Sequence, residues 1–170
     1  MPTDAELTFA DHTGRFYARR YGFPPMVGRL LGYLAVCDPP DPSIGELADA
    51  LLASRSAITG ALKNLEMTKV VQRSRTAGER MDRVWLDMRS PEATGMDITE
   101  YQELGALAHE GLEVLADAPP ERRAVLLEMR AFADFLVEQM PRLREEWVVR
   151  RAELIASGEL PERSTPGSRR

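Results

Sequence analysis

The chain has 170 residues, 44% of them hydrophobic and 29% charged, which is ordinary for a soluble globular protein of one domain or two small ones. It shows no apolar run near the ~20 residues that a membrane span needs and no basic-then-apolar leader, so we expect a cytoplasmic protein without a membrane partner. The net charge of −5 argues at first against nucleic acid, and the single cysteine, Cys37, excludes an intrachain disulfide framework.

The N-terminal part of the chain predicts two helices separated by prolines. A first helix is expected over about Asp4 to Tyr21, and a second over Pro25 to Cys37 with a proline in its first turn. The prolines at 39, 40 and 42 then form a rigid loop, because proline fixes φ. We interpret residues 1–24 as a helix that contributes to dimerisation.

The next segment predicts two short helices that meet at a tight turn. Ser43 and Glu46 form a capping box, so a helix begins at Ile44 and stops near residue 52. Ser54 can cap the second helix, which runs to about Glu66. Two short helices joined in this way are typical of a helix-turn-helix.

The second of these helices has two different faces. The residues expected to face inward are Ala57, Ile58, Ala61, Leu62 and Leu65, and those on the opposite face are Arg55, Ser56, Thr59, Gly60, Lys63 and Asn64. The outer groups are small or basic and can enter a major groove, where hydroxyls and amides read base edges and cations bind guanine or phosphate. Gly60 costs about 1 kcal/mol of helix stability relative to alanine. A glycine at this position has two alternative explanations, close approach to DNA or tight packing against another helix.

A β-hairpin is predicted after the second helix. Val70–Arg73 and Arg83–Leu86 have strand patterns, and the long connection between them suits an exposed wing. Arg75 and Arg80 lie near its tip, where an arginine can reach a minor groove; a solvated surface charge is the alternative.

Charge is distributed unevenly along the chain. Ser54–Arg83 holds seven basic and three acidic residues, a balance of +4, whereas Pro91–Glu162 holds seven basic and sixteen acidic residues, a balance of −9. A basic island on an acidic body indicates one anion-binding face; ordinary variation of charge along helix surfaces is the alternative.

Two long helices are expected in the C-terminal part, over about Asp97–Ala116 and from Pro120 towards Ile155, with Pro141 kinking or dividing the second. They carry more apolar surface than a lone hairpin can bury. Self-association is the simplest way to cover it, and folding back on the N-terminal helices is the alternative. We therefore divide the chain into a winged domain at 25–90, a dimerisation region at 91–158 and a disordered tail at 159–170.

The stretch LADALLASRSAITGALKNLEMTKVVQRS resembles the helix-turn-helix of MarR-type regulators, and the wing RTAGERMDR is similar to their betaine-synthesis-repressor (GbsR-like) branch. The resemblance covers Ser43–Leu86. It implies a mainly α fold with a small β-hairpin wing, a helical dimerisation region, and a homodimer on a pseudo-palindromic operator. Leu52 and Lys69 stand where this family usually carries glycine, so either the turn differs or the register slips by a residue.

Together these observations predict a sequence-specific, homodimeric DNA-binding repressor whose partners are double-stranded DNA and a second copy of the chain. The residues expected to bind DNA are Ser43, Ser54, Arg55, Ser56, Thr59, Gly60, Lys63, Asn64, Arg73, Arg75 and Arg80. A winged-helix adaptor that binds proteins instead of DNA is the alternative.

Other chemistry has little support in the sequence. There is no phosphate loop, nucleophile elbow or zinc-protease motif, so we expect no enzyme, no cofactor and no metal. Cys37 is either a buried small residue or a redox sensor, and no basic neighbour in sequence lowers its pKa. The resemblance implies a small-molecule effector as a further partner. The residues that could line its site are Phe16, Tyr17, Tyr33, Met67 and Trp85, which could equally be plain core.

Overall fold

The computed structural model describes residues 1–74 and 82–162 and divides the chain into two compact units, one over Met1–Ala93 and one that begins at Thr94. The elements are α1 (Asp4–Tyr21), α2 (Pro25–Val36), α3 (Ile44–Ala50), α4 (Arg55–Met67), β1 (Val71–Ser74), β2 (Arg83–Leu86), α5 (Pro91–Thr94), α6 (Thr99–Val114) and α7 (Pro120–Ala156). The prediction of a mainly helical fold with a small β-hairpin is confirmed.

In the first unit, α1 lies directly against α2. A capping box begins α1, because the Glu6 amide donates to the Thr3 hydroxyl and the Thr3 amide donates to the Glu6 carboxylate. The two helices approach closely at Gly32, where an added Cβ would lie 2.6 Å from the Thr13 Cβ. A side chain therefore does not fit at this position without moving α1.

The core of the first unit lies beneath the predicted helix-turn-helix. Its largest fully buried side chains come from the helices of this unit and from β2. They include Leu30 and Leu34 of α2, Leu47 of α3, Leu51 just after α3, Ile58, Leu62 and Leu65 of α4, and Val84 of β2. The inner face of α4 is thus held by α2, α3 and the hairpin. Its outer face is left on the surface.

The hairpin is antiparallel and pairs Val71 with Leu86 and Ser74 with Arg83. β1 begins one residue later than predicted, whereas β2 has the predicted bounds. The amide of Val84 donates to the Pro42 carbonyl at 3.0 Å, which joins the hairpin to the loop before α3. The wing tip that the sequence predicts lies outside the described residues.

The second unit is a hairpin of α6 and α7. Gly111 provides its close approach, since an added Cβ would lie 2.8 Å from the Leu126 Cδ1. Of the two effects expected of Pro141, kinking or dividing the helix, division does not occur, because α7 continues from Pro120 to Ala156 with Pro141 inside it. The carbonyl that loses its N–H partner at this proline is that of Val137, one turn earlier, and this residue is partly exposed.

Much of the apolar surface of α6 and α7 is uncovered. The buried residues of the two helices are Ala108, Leu112 and Ala133. The large apolar side chains that stay exposed are Leu107, Val114, Val125, Leu127, Phe132, Phe135, Leu143, Trp147, Val148 and Val149. The hairpin therefore carries more apolar surface than it buries by itself, as the sequence indicates. None of the helices in the described part of the chain is long and apolar enough to span a membrane.

Candidate nucleic-acid interface

The helix-turn-helix is held by two local caps. The Glu46 amide donates to the Ser43 hydroxyl at 3.2 Å and the Ser43 amide donates to the Glu46 carboxylate at 2.7 Å, which begins α3. The Ala57 amide donates to the Ser54 hydroxyl at 3.1 Å, which begins α4. Both predicted caps are present, although α3 ends at Ala50, two residues earlier than expected.

Leu52 and Lys69 adopt the left-handed conformation that glycine usually provides. Their φ values are 51° and 53°. The register does not slip, so the chain keeps the turn geometry at both ends of α4 and accepts the strain of a Cβ there. The side chain of Leu52 is 90% exposed, so burial does not compensate for this strain.

The polar side chains on the outer face of α4 are largely bonded to their own helix. The Thr59 hydroxyl donates to the Arg55 carbonyl at 2.8 Å, and the Asn64 amide donates to the Gly60 carbonyl at 2.9 Å. The hydroxyls of Ser54 and Ser56 lie 2.9 Å apart. These contacts set the orientation of the side chains before any partner binds.

Arg55 and Lys63 give this face its positive charge. Both side chains are exposed, and within residues 1–74 and 82–162 neither forms an ion pair with an acid. The Arg55 guanidinium lies beside Gly45 of α3, with its Nη2 3.5 Å from where a Cβ would stand on that glycine. Each of these cations is free to contact an anion such as a phosphate.

Gly60 stands in open space at the centre of the same face. An added Cβ would meet no described atom within 4 Å. Packing against another helix of the described chain therefore does not explain this glycine. Close approach of an external partner remains as its explanation.

Two residues predicted to bind DNA have other roles in the structure. Ser43 is 2% exposed and its hydroxyl is the cap of α3, so it does not reach a duplex. Arg73 donates from Nε to the Asp82 carboxylate at 2.7 Å, and its Nη1 lies 3.9 Å from Glu66. Its charge is thus balanced by two acids. Arg75 and Arg80 lie outside the described residues.

Ala57 was expected on the inner face of α4, and this expectation is wrong. The buried residues Ile58, Ala61, Leu62 and Leu65 follow the spacing i, i+3, i+4, i+7. At 100° per residue, Ala57 lies roughly 90° from the centre of this stripe and is exposed. The strict spacing counted from Ile58 is the sequence signal that places Ala57 outside the core.

Sequence reasoning also missed the ion pair that joins the hairpin to α3. The Arg83 guanidinium donates to the Glu46 carboxylate at 3.0 Å and to the Asp41 carbonyl at 3.4 Å. The pKa of Glu46 is lowered, first by the Ser43 amide, then by the Ser43 hydroxyl, and also by the Arg83 charge. One carboxylate thus serves both the cap and the base of the hairpin.

The five candidate effector residues do not share one environment. Phe16 and Tyr17 are in contact, with ring centroids 5.2 Å apart, but Tyr33 is buried in the core. Met67 is 76% exposed at the end of α4, and Trp85 is buried. Tyr17 also packs against the core cluster that contains Tyr33, so the described structure brings part of the predicted set together and leaves Met67 apart on the surface.

Cys37 is buried at the end of α2, and its thiol lies 3.8 Å from the Leu34 carbonyl. Burial raises the pKa of this thiol to about 11. The thiol is therefore neutral and poorly reactive near pH 7, which favours the structural role over redox sensing. Among the described residues no cluster of His, Cys, Asp and Glu could hold a metal ion.

A capped helix pair followed by a two-stranded hairpin defines a winged helix-turn-helix protein. A solved structure described as the crystal structure of a transcriptional regulator has this fold: its TM-score is 0.77 at 32% sequence identity, over 85% of this chain and 98% of that chain. The likeness therefore includes helices well beyond the helix-turn-helix.

Sequence comparison identifies the family of winged helix-turn-helix proteins to which the chain is similar. A family model for the MmpR5-like MarR family transcriptional regulators matches residues 91–152. The HTH-type transcriptional regulator MmpR5 of Mycobacterium tuberculosis (strain ATCC 25618 / H37Rv) is 38% identical over 128 residues, which cover 73% of this chain and 75% of that protein. The chain belongs to the MarR family of winged-helix transcriptional regulators, in its MmpR5-like group.

Proposed function

We propose that the chain acts as a homodimeric, sequence-specific repressor that binds a pseudo-palindromic DNA operator. The observation that carries this proposal is the exposed surface of α4, where Arg55 and Lys63 have no acidic partner in the described chain and Gly60 leaves open space. Membership of the MarR family, whose regulators bind DNA and form dimers, supports the same function.

The outer face suits entry into a major groove. The N-terminal residues of a recognition helix contact base edges, and the small side chain of Ser56 and the missing side chain of Gly60 allow a close approach. Arg55 and Lys63 bind guanine edges or phosphates. Ser43 is left out of this interface because its hydroxyl is a buried cap, whereas Arg73, partly exposed and paired with Asp82, stays a predicted contact.

Dimerisation is proposed from the uncovered apolar surface of the second unit. Phe132, Phe135 and Val148 are 55%, 56% and 61% exposed. A second copy of the chain, with the same apolar helices, would bury these side chains and present two copies of α4 about 34 Å apart, one turn of DNA. The acidic charge of this region keeps it away from the phosphates.

Three finer points belong to the same proposal. A small molecule releases the operator if it binds the DNA-free state more tightly than the bound one, and the contact between Phe16 and Tyr17 is one place to look for it. The protein acts in the cytoplasm, where its operator is. The likeness of the wing to the GbsR-like branch stays a prediction.

Mobility shifts with DNA fragments that flank the gene of this protein test the proposal. We expect a shift whose affinity falls steeply with salt, since phosphate contacts release counterions. Lys63→Glu should abolish it, whereas Arg122→Glu, a matched charge reversal at an exposed residue of α7, should not. The proposal would be contradicted if no fragment showed salt-sensitive binding, or if both variants lost affinity for DNA equally. A protein-binding adaptor would then be the better account.

A further inference from the structure

We infer that Ala57 is a specificity-determining residue, whose methyl group contacts the C5 methyl of a thymine in each operator half-site. The inference rests on the proposed function, because it concerns the same face of α4. It goes beyond the proposed function by naming thymine as a base that this face recognises.

The first turn of α4 presents a single apolar group among polar ones. Arg55 and Ser56 are exposed and polar, Ile58 is fully buried, and Ala57 is exposed. The Ser54 hydroxyl accepts a hydrogen bond from the Ala57 amide at 3.1 Å, and it lies 2.9 Å from the Ser56 hydroxyl. The two hydroxyls are thus bonded within the turn, and Ala57 in the same turn leaves its methyl exposed to solvent.

A methyl group at this place matches one base. The N-terminal residues of a recognition helix approach base edges in the major groove, and thymine is the base that presents a methyl group there. A small apolar side chain makes contact with that methyl, whereas it leaves the donors and acceptors of the other bases without partners.

Alanine is also the residue with the highest helix propensity, and this is the competing explanation for its presence on the surface. The two explanations predict different results when only the thymine methyl is removed. Uracil in place of thymine makes that single change in the DNA.

The experiment uses the operator selected by the wild-type protein from a random pool of duplexes. Each thymine is replaced in turn by uracil, and binding is measured for the wild type and for Ala57→Gly. One replacement per half-site should weaken wild-type binding by about fourfold, the value of one buried methyl group. The same replacement should not change the affinity of Ala57→Gly for the operator, because this variant lacks the methyl group that contacts the thymine methyl.

A matched control is Ala35→Gly, which removes an exposed methyl from α2 and should keep the full uracil effect. Ala57→Gly also weakens the helix, but this lowers affinity for both duplexes equally and cancels in the comparison. If Ala57→Gly does not fold by circular dichroism, Ala57→Ser replaces it and should reduce the uracil effect.

The possible results separate the two proposals. If the wild type binds the operator but no uracil replacement weakens binding, or if the weakening persists in Ala57→Gly, the role of Ala57 is overturned and the DNA-binding function stands. If the wild type selects no duplex, the proposed function fails and the role of Ala57 fails with it.

Discussion

The guanidinium of Arg29 on α2 donates a hydrogen bond of 2.9 Å to the carbonyl of Leu51, the residue that follows α3 as its C-cap. The same side chain donates to Asp11 of α1 at 2.5 Å. Helix ends leave carbonyls without intrahelical partners, and here a long side chain from a neighbouring helix provides one. Arg29 thus holds the chain immediately before Leu52, which has a φ of 51°. Together with the backbone bond from the Ala53 amide to the Ala48 carbonyl at 2.9 Å, this contact holds a tight turn that keeps its geometry without glycine.

Replacing Leu52 with glycine should stabilise the protein. The left-handed conformation costs a non-glycine residue about 1–2 kcal/mol, and the exposed leucine side chain contributes little packing in return. We expect Leu52→Gly to raise the free energy of unfolding in urea by about 1 kcal/mol, a net value reduced by the backbone entropy of glycine.

Gly22→Ala is the matched control for Leu52→Gly. Gly22 has a φ of 69° and open space around it, so an added methyl brings strain without a clash. This variant should lower the free energy of unfolding by a similar amount. A loss of stability in Leu52→Gly would show that the leucine side chain has a structural role that its exposure does not reveal.

Stability should fall in acid through Glu46. Hydrogen bonds from Ser43 hold the pKa of this carboxyl below its usual value of 4.5. Its contribution to stability is therefore fully present above pH 4.5 and is lost as the pH falls through the lowered folded-state pKa. Glu46→Gln should lower the urea midpoint at pH 7 and make the difference from wild type shrink towards pH 3.

The control for Glu46 is Glu128→Gln, at an exposed glutamate of α7. We expect it to leave the urea midpoint unchanged at both pH values. A constant difference between Glu46→Gln and wild type across this range would mean that the ionised form of Glu46 does not stabilise the fold.

Gly60→Ala should raise the stability of the protein and weaken its binding to DNA. Alanine in the middle of an exposed helix is about 1 kcal/mol more stable than glycine, and the added methyl meets no described atom within 4 Å. We expect a higher melting temperature together with weaker operator binding, because the methyl occupies space that DNA would fill. Unchanged affinity in the stabilised variant would remove Gly60 from the interface.

Dimerisation should depend on the exposed apolar residues of α7. The wild type is expected to sediment at twice the chain mass of 19.0 kDa, and Val148→Asp should shift it towards the monomer. Arg122→Asp places the same charge at an exposed polar residue and should leave the dimer intact. A wild type that is monomeric at micromolar concentration would exclude the proposed dimer.

Sequence patterns predicted local structure better than side-chain roles. The caps at Ser43 and Ser54 depend on residues within three positions, so the sequence identifies the starts of α3 and α4. The bond from Arg29 to the Leu51 carbonyl, beside Leu52, joins residues 22 positions apart, and no local pattern shows this contact. Tertiary contacts of this kind decide where propensity alone is ambiguous.

In the candidate site, too, the sequence predicts local structure better than it predicts the roles of side chains. Arg73 was assigned to DNA from its charge, but its bond to Asp82 becomes visible only with the hairpin register. Ser43 was recognised both as a cap and as a DNA contact, yet a hydroxyl buried in a cap cannot do the second. The exposed position of Ala57 follows from the helical period, provided that the buried stripe is counted from Ile58.

Selection of bound duplexes from a random pool tests the central claim most directly, because it reports DNA binding, sequence preference and symmetry together. The proposed dimer predicts an enriched site with two inverted half-sites about 10–10.5 base pairs apart, centre to centre. No enrichment over the starting pool, or enrichment of a single site without inverted symmetry, would contradict it.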